Sequence, residues 1–349
     1  MAGAHREEAA GSRGTARPRG PGAADGSPAT QGELRPGEPR ILAVAGPTAS
    51  GKSALAHAVA RAVGGEIIVA DPFQRYRGFE IAADSPRPHE RAEVPYHLVG
   101  DLDLSESSRV GDFARRAHHV IDEVIRRGRL PIVSGGSGLY LRAALGTLDF
   151  AEPVPAELRA WAEELVARDL EAAVERLRQL DPLAAARVDV ANPRRVARAL
   201  ELAEAGRQAA RPSGPLWSAA TRRPTLIVAI SRPRAVLRER IAQRVRRELE
   251  EGLVAELEAA LDRPGGLSRE AAQIIGIHEV LALRRGELDP SDLEAALVAR
   301  TRRLARKQLT WLRKMPGLVW LDLGDRPAEE ARDEVLALLA GPARSRRFD

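Results

Sequence analysis

Residues 46 to 53 read Gly46-Pro47-Thr48-Ala49-Ser50-Gly51-Lys52-Ser53, a G-x4-G-K-[ST] spacing that restricts the surrounding fold more than any other feature of the chain. Such a loop works only between a buried strand and the first turn of a helix. Its glycines let backbone N–H groups converge on phosphate oxygens, and the helix N-terminus adds its positive end. Both neighbours are present: Ile41 to Ala45 is an apolar run of strand length, and Ser53 to Val63 has helical spacing. Lys52 supplies a fixed charge, and Ser53 is the expected Mg2+ ligand. Lys52 is one of three lysines beside fifty-one arginines. A compact ammonium that reaches between phosphates is a physical reason for lysine to persist in such a chain. The loop does not say which phosphorylated molecule it holds.

Further apolar runs recur at Glu66 to Ala70, Leu130 to Val133, Thr225 to Ile230 and Leu318 to Leu321, with helical patterns such as Gly111 to Arg127 between them. Strands buried on both faces and alternating with helices imply a doubly wound parallel α/β sheet. From about Pro153 to Arg211 the alternation stops, and Ala, Leu, Arg and Glu at helical spacing predict a helical insertion. Charged helices are expected over Arg234 to Leu261 and Ser291 to about Lys314, with a break at Arg263-Pro264-Gly265-Gly266. Residues 1–39, rich in Ala, Gly, Pro and Arg without an apolar period, read as a disordered tail. The expected organisation is therefore a tail (1–39), an α/β core (40–152 and 212–349) and the insertion (153–211).

With 54 basic against 49 acidic residues the net charge is only +5, so local clusters have to carry any case for a nucleic-acid partner. The chain has no cysteine, which excludes disulfides, thiolate metal sites and a cysteine nucleophile and fits a cytoplasmic location. It has no run of eighteen apolar residues and no charged-then-apolar leader, so neither a membrane span nor a secretory signal is expected. The seven histidines show no zinc-ligand spacing.

The second strand ends in Asp71-Pro72-Phe73-Gln74-Arg75-Tyr76-Arg77-Gly78, which puts a carboxylate at the sheet edge where open α/β folds bind ligands. Asp71 could bind Mg2+, act as a general base or cap a loop, and Gln74 could pair with an adenine edge or simply be solvated. Ser134-Gly135-Gly136-Ser137-Gly138-Leu139-Tyr140 follows the next strand onto the same edge, as a substrate contact or a tight connection. Between Arg300 and Lys314 seven cationic residues, Arg302 and Arg306 among them, interleave with Leu304, Leu309 and Leu312, which predicts a helix with one buried and one cationic face for RNA phosphates.

Together these segments resemble the tRNA dimethylallyltransferases. The likeness includes Val94-Pro95-Tyr96-His97-Leu98, Asn192-Pro193-Arg194-Arg195-Val196-Ala197-Arg198-Ala199-Leu200-Glu201, Ile275-Gly276 with Glu279, and Arg306-Lys307-Gln308-Leu309-Thr310-Trp311-Leu312-Arg313. It implies a P-loop NTPase-like parallel sheet with a helical insertion contacting tRNA. It also implies transfer of a dimethylallyl group from dimethylallyl diphosphate to N6 of the adenine 3′ of the anticodon, releasing diphosphate, with Mg2+ as cofactor and the chain acting as a monomer.

By position, the resemblance assigns the loop Gly46 to Ser53 to the donor diphosphate, with Thr48 and Arg240 beside the leaving group and Asp71 as the base. It assigns Asp71, Pro72, Phe73, Gln74, Ser137, Arg194, Arg195, Val196, Ala197 and Arg198 to tRNA. Phe73 and Tyr76 are candidates to receive the extruded base. The chain departs from the family where Ala82-Ala83-Asp84-Ser85-Pro86 stands in place of the usual Gly-Thr-Ala-Lys-Pro, losing a hydroxyl and a cation near the site. A P-loop small-molecule or nucleoside kinase, an adenylate isopentenyltransferase and a non-catalytic RNA-binding P-loop protein are the alternatives. The kinase does not account for the ordered arginine segments, the adenylate enzyme needs no anticodon-binding surface, and the RNA-binding protein would keep the cradle yet show no donor turnover.

Overall fold

The structure is a computed structural model, and it describes residues 40–147, 154–207 and 219–341. The expected tail lies outside the described residues, as do the two junctions of the insertion. Six strands form one parallel sheet in the order β3-β2-β4-β1-β5-β6. They are β1 (Ile41–Ala45), β2 (Glu66–Val69), β3 (Tyr96–His97), β4 (Pro131–Gly135), β5 (Thr225–Ser231) and β6 (Leu318–Asp322). Five match the apolar runs closely. β3 was not expected, because two residues are too few to show a period.

Side-chain alternation explains why the central strands read as continuous apolar runs. In β1, Ile41, Ala43 and Ala45 join one core with Phe113, Ala117 and Ile121 of α3 (Val110–Arg126) and Leu141 of α4 (Gly138–Leu145). Leu42 and Val44 join another with Leu55 and Val59 of α1 (Lys52–Val63). Helices therefore cover both faces, and no β1 side chain can be polar without loss. Because every strand is parallel, the loops after β1, β2, β4 and β5 all emerge on one edge.

Between β2 and β3 lies α2 (Pro88–Glu93). The insertion consists of α5 (Ala156–Arg168), α6 (Leu170–Leu180), α7 (Pro182–Ala185) and α8 (Pro193–Glu204), packed on their own apolar core around Leu177, Val196 and Leu200. Side-chain caps from Asp169, Asp181 and Asn192 start α6, α7 and α8.

The stretch from Arg234 to Leu261 is not continuous. α9 (Arg234–Glu250) and α10 (Leu253–Asp262) are separated at Gly252, whose φ of 101° a side chain rarely adopts. These two helices pack with α11 (Ile277–Arg284) and α12 (Leu293–Lys314) around Leu257, Ile277 and Leu297. α13 (Arg332–Ala340) follows β6 and closes the core over α1 through Val335. Among the described residues no helix is long and apolar enough to cross a membrane.

Candidate active site

The loop after β1 opens α1 at Gly51, which is left-handed at φ 95° and has no room for a Cβ, since Ala328 Cβ would lie 2.6 Å away. Ala49 is left-handed too, at φ 62°. The loop is held by cations donating to its carbonyls. Arg232 Nε donates to Ser50 O at 2.7 Å and Arg240 Nε to Ala49 O at 2.9 Å. Ser50 is fully buried under the loop, and a Cβ on Gly46 would stand 2.5 Å from its hydroxyl. Thr48, nearly buried, donates its N–H to Gln308 Oε1 at 2.8 Å and accepts from Arg244 Nη1 on its hydroxyl, also at 2.8 Å.

A cavity of about 710 Å³ extends from this loop and brings Lys52, Ser53, Asp71, Gln74, Arg240, Arg244 and Arg247 onto one surface. A second space of about 70 Å³ shares Lys52, Ser53, Asp71, Gln74, Asp84 and Arg244 with it and is otherwise walled by Phe73, Ile275, Leu304 and Gln308, among others. Asp71 thus borders both spaces. One of its oxygens accepts the Phe73 N–H at 2.9 Å, which fixes the carboxylate and leaves the other oxygen for a substrate proton or a cation. Burial lowers the Lys52 ammonium below its ordinary pKa and Arg244 adds to that, while Asp71 and Asp84 oppose the shift. The Ser53 hydroxyl and the Asp71 carboxylate are hard oxygen donors facing one cavity, a set that fits Mg2+ completed by diphosphate oxygens.

Gln74 is near the site, but its amide is already engaged. Its Nε2 donates to the carbonyls of Ala83 and Asp84 at 3.1 and 3.0 Å, so bidentate pairing with an adenine edge is closed to it and only Oε1 remains to accept. Phe73 is half-buried on the smaller space, whereas Tyr76 is 1% exposed and is core. Of the two aromatic candidates for receiving a base, only Phe73 is placed to do so. Pro72 lies half-buried beside Asp71.

The second glycine-rich turn is a packing seat. A Cβ on Gly136 would stand 2.5 Å from Gln308 Nε2, and one on Gly138 would stand 2.6 Å from the Trp311 ring, so the missing side chains admit α12. Ser137, at the start of α4, stays half-buried at the edge of this seat. α12 buries Leu297, Thr301, Ala305, Gln308 and Leu312 and exposes Arg303, Arg306, Lys307 and Arg313. Those four have no ion-pair partner among the described residues. The cationic face is narrower than the sequence suggested, however. Arg300 donates to Glu279 at 3.0 Å, and Arg302 is half-buried with an unpartnered Nε.

In α8, Arg194 and Arg195 are exposed, with Arg194 on Gln273 at 3.2 Å and Arg195 beside Asp189 at 3.5 Å, while Arg198 pairs with Glu201. Val196 and Ala197 were expected beside them on RNA. Both are buried in the insertion's core at 0% and 7% exposure, because their positions fall on the apolar side of α8, so only the arginines face out.

Arg244 and Arg247 were missed, although Arg240, Arg244 and Arg247 fall at helical spacing on one face of α9. They occupy the neighbourhood where the family's cation is lost. Arg244 Nη1 lies 3.1 Å and Arg247 Nη2 3.0 Å from the two carboxylate oxygens of Asp84.

The IPP transferase family model matches residues 74–315, and the isopentenyl transferase model matches residues 39–95. The chain is 39% identical over 303 residues to a tRNA dimethylallyltransferase of Leuconostoc citreum, covering 86% of this chain and 99% of that one. It is 42% identical over 286 residues to one of Anaeromyxobacter dehalogenans, covering 81% and 94%. Among solved structures it resembles the tRNA isopentenylpyrophosphate transferase of Bacillus halodurans, with TM-score 0.64, 31% identity and coverage of 87% and 96%. A eukaryotic dimethylallyltransferase solved acting on tRNA shares the fold, with TM-score 0.70 at 24% identity over 85% of this chain and 77% of that one.

Proposed function

Because the chain belongs to the tRNA dimethylallyltransferase family and is a prenyl-transferring enzyme acting on tRNA, we propose that it moves a dimethylallyl group from dimethylallyl diphosphate to N6 of the adenine 3′ of the anticodon, as a monomer. The observation that carries this reading is Asp71. Among the described residues it is the one carboxylate with a free oxygen that borders both the cavity at the phosphate loop and the space walled by Phe73.

An adenine amine is a weak nucleophile, so rate has to come from placing it in line with the allylic carbon and stabilising the leaving diphosphate. Lys52, Arg240, Arg244 and the loop amides hold the diphosphate, with the Thr48 hydroxyl beside them. As the new N–C bond forms, the allylic C–O bond breaks and its electron pair leaves on the diphosphate oxygen. Asp71 takes the N6 proton. Ser53 would hold Mg2+, which when bound would neutralise charge on the diphosphate. Extruding a stacked base costs a few kcal/mol, offset where an aromatic wall receives it, and Phe73 is that wall. Gln74 offers the base Oε1 as an acceptor. Arg303, Arg306 and Lys307 on α12, with Arg194, Arg195 and Arg198 on α8, hold RNA phosphates and set its register.

The test is incubation with labelled dimethylallyl diphosphate, Mg2+ and an anticodon stem-loop, followed by digestion to nucleosides. Label in N6-alkylated adenosine is expected. Label that never enters RNA with any of several adenine-containing loops would overturn the reading.

A further inference from the structure

Asp84 stands where an anion is least expected. It lines both spaces of the site beside Lys52, and its two carboxylate oxygens lie 3.1 and 3.0 Å from the guanidinium groups of Arg244 and Arg247. The loop is built to hold it there. The Asp84 backbone is left-handed at φ 51°, and Gln74 Nε2 bonds the carbonyls of Ala83 and Asp84. The Glu256 carboxylate accepts the N–H groups of Ile81 and Ala82, each at 2.8 Å. Burial alone would raise the Asp84 carboxyl, but Arg244, Arg247, Lys52 and Arg87 together hold it below the ordinary aspartate range. It is therefore ionised at neutral pH.

The consequence is electrostatic. Five cationic side chains and four carboxylates line the larger cavity, so its net charge is close to balance although it sits on a phosphate loop. A diphosphate entering here has to compete with Asp84 for Arg244 and Arg247 and meets a like charge beside Lys52. Without that carboxylate the same cations would grip the donor and the released pyrophosphate alike. Tight uniform binding of both slows turnover without accelerating chemistry.

We infer that Asp84 is a resident competing anion that sets the affinity of the site for diphosphate and eases release of the pyrophosphate product. This rests on reading the cavity as the donor's diphosphate site. Asp84 touches neither reacting atom; it acts through the two arginines.

The experiment measures inhibition by inorganic pyrophosphate, at fixed free Mg2+, of label transfer from dimethylallyl diphosphate to a stem-loop. Wild type is compared with Asp84→Asn and Asp84→Gly, both of which tolerate the left-handed backbone. Both variants should bind pyrophosphate about tenfold more tightly at low salt and lower the donor KM, with the gap narrowing at high salt. A damaged site cannot bind its ligand more tightly, so this readout separates the role from a structural one. If both variants bind pyrophosphate as wild type does or more weakly, Asp84 only props the arginines and the inference falls. If pyrophosphate does not compete with the donor in wild type, the donor-cavity reading itself falls and takes the inference with it.

Discussion

Replacing Gly135 by alanine should disable the enzyme without unfolding it. Gly135 ends β4 beside β2, and a Cβ placed there would lie 2.3 Å from the Ala70 carbonyl oxygen and 2.9 Å from Ala70 Cβ. An ordinary carbon–oxygen contact relaxes at about 3.3 Å, so the two strand ends have to part by about 1 Å. They are pinned to each other, since Ala70 N–H donates to Ser134 O at 2.7 Å, and the strain passes to the next residue, which is Asp71. A 1 Å misplacement of a catalytic group costs about 10²-fold in rate, whereas overpacking of this size costs about 1–3 kcal/mol of stability. Single-turnover transfer at saturating donor and RNA, together with a thermal melt, separates the two. The expected result is a rate about a hundredfold down in a protein that still melts cooperatively. A folded Gly135→Ala protein with a rate within threefold of wild type would refute the claim that this contact fixes Asp71.

Gln308→Leu leaves the buried Thr48 N–H without its acceptor, which should cost about 1–3 kcal/mol and lower the melting temperature, with a rise in donor KM as the loop loosens. Combined replacement of Arg303, Arg306 and Lys307 by alanine should reduce the slope of log RNA affinity against log salt by about 2–3, and an unchanged slope would remove α12 from the interface. Glu66, 2% exposed, accepts from His97, Arg127 and Arg129 at 2.6, 2.7 and 3.3 Å. Burial pushes its carboxyl up, but the hydrogen bonds from Arg127 and His97 hold it below its ordinary value of 4.5. A depressed folded pKa contributes stability that is present above the unfolded value and lost as pH falls through the folded one. Glu66→Gln should therefore destabilise by about 1–3 kcal/mol at neutral pH and lose less than wild type between pH 5 and about 3, as followed by denaturant melts.

What was legible in the sequence follows from how local each signal is. The strands around Leu42, Ile67 and Val228 are buried on both faces, so their apolar runs stand out, and Gly46 to Ser53 carries its meaning in its own spacing. β3 was not legible, because two residues have no period. The break at Gly252 was missed because charged helical spacing runs across it and only the φ of 101° reveals the turn. Asp71 and Arg240, named from the sequence, line the cavity, yet Arg244 and Arg247 were not named, although they lie on the same face of the same helix as Arg240. Gln308 was given no role of its own, although its place in the stripe Leu297, Thr301, Gln308 and Leu312 was a signal that it faces inward. The commitment of Gln74 to the Ala83 and Asp84 carbonyls depends on a loop conformation that no local spacing encodes.

Asp71→Asn offers the most direct test of the central claim that this carboxylate joins donor cavity and base. Donor and stem-loop affinities are measured by equilibrium binding, and transfer is followed in a single turnover at full occupancy. The account predicts both dissociation constants within about threefold of wild type and a transfer rate lower by about 10²–10⁴-fold, the usual contribution of a positioned general base. Transfer at the wild-type rate, or a loss wholly explained by weaker donor binding, would contradict it.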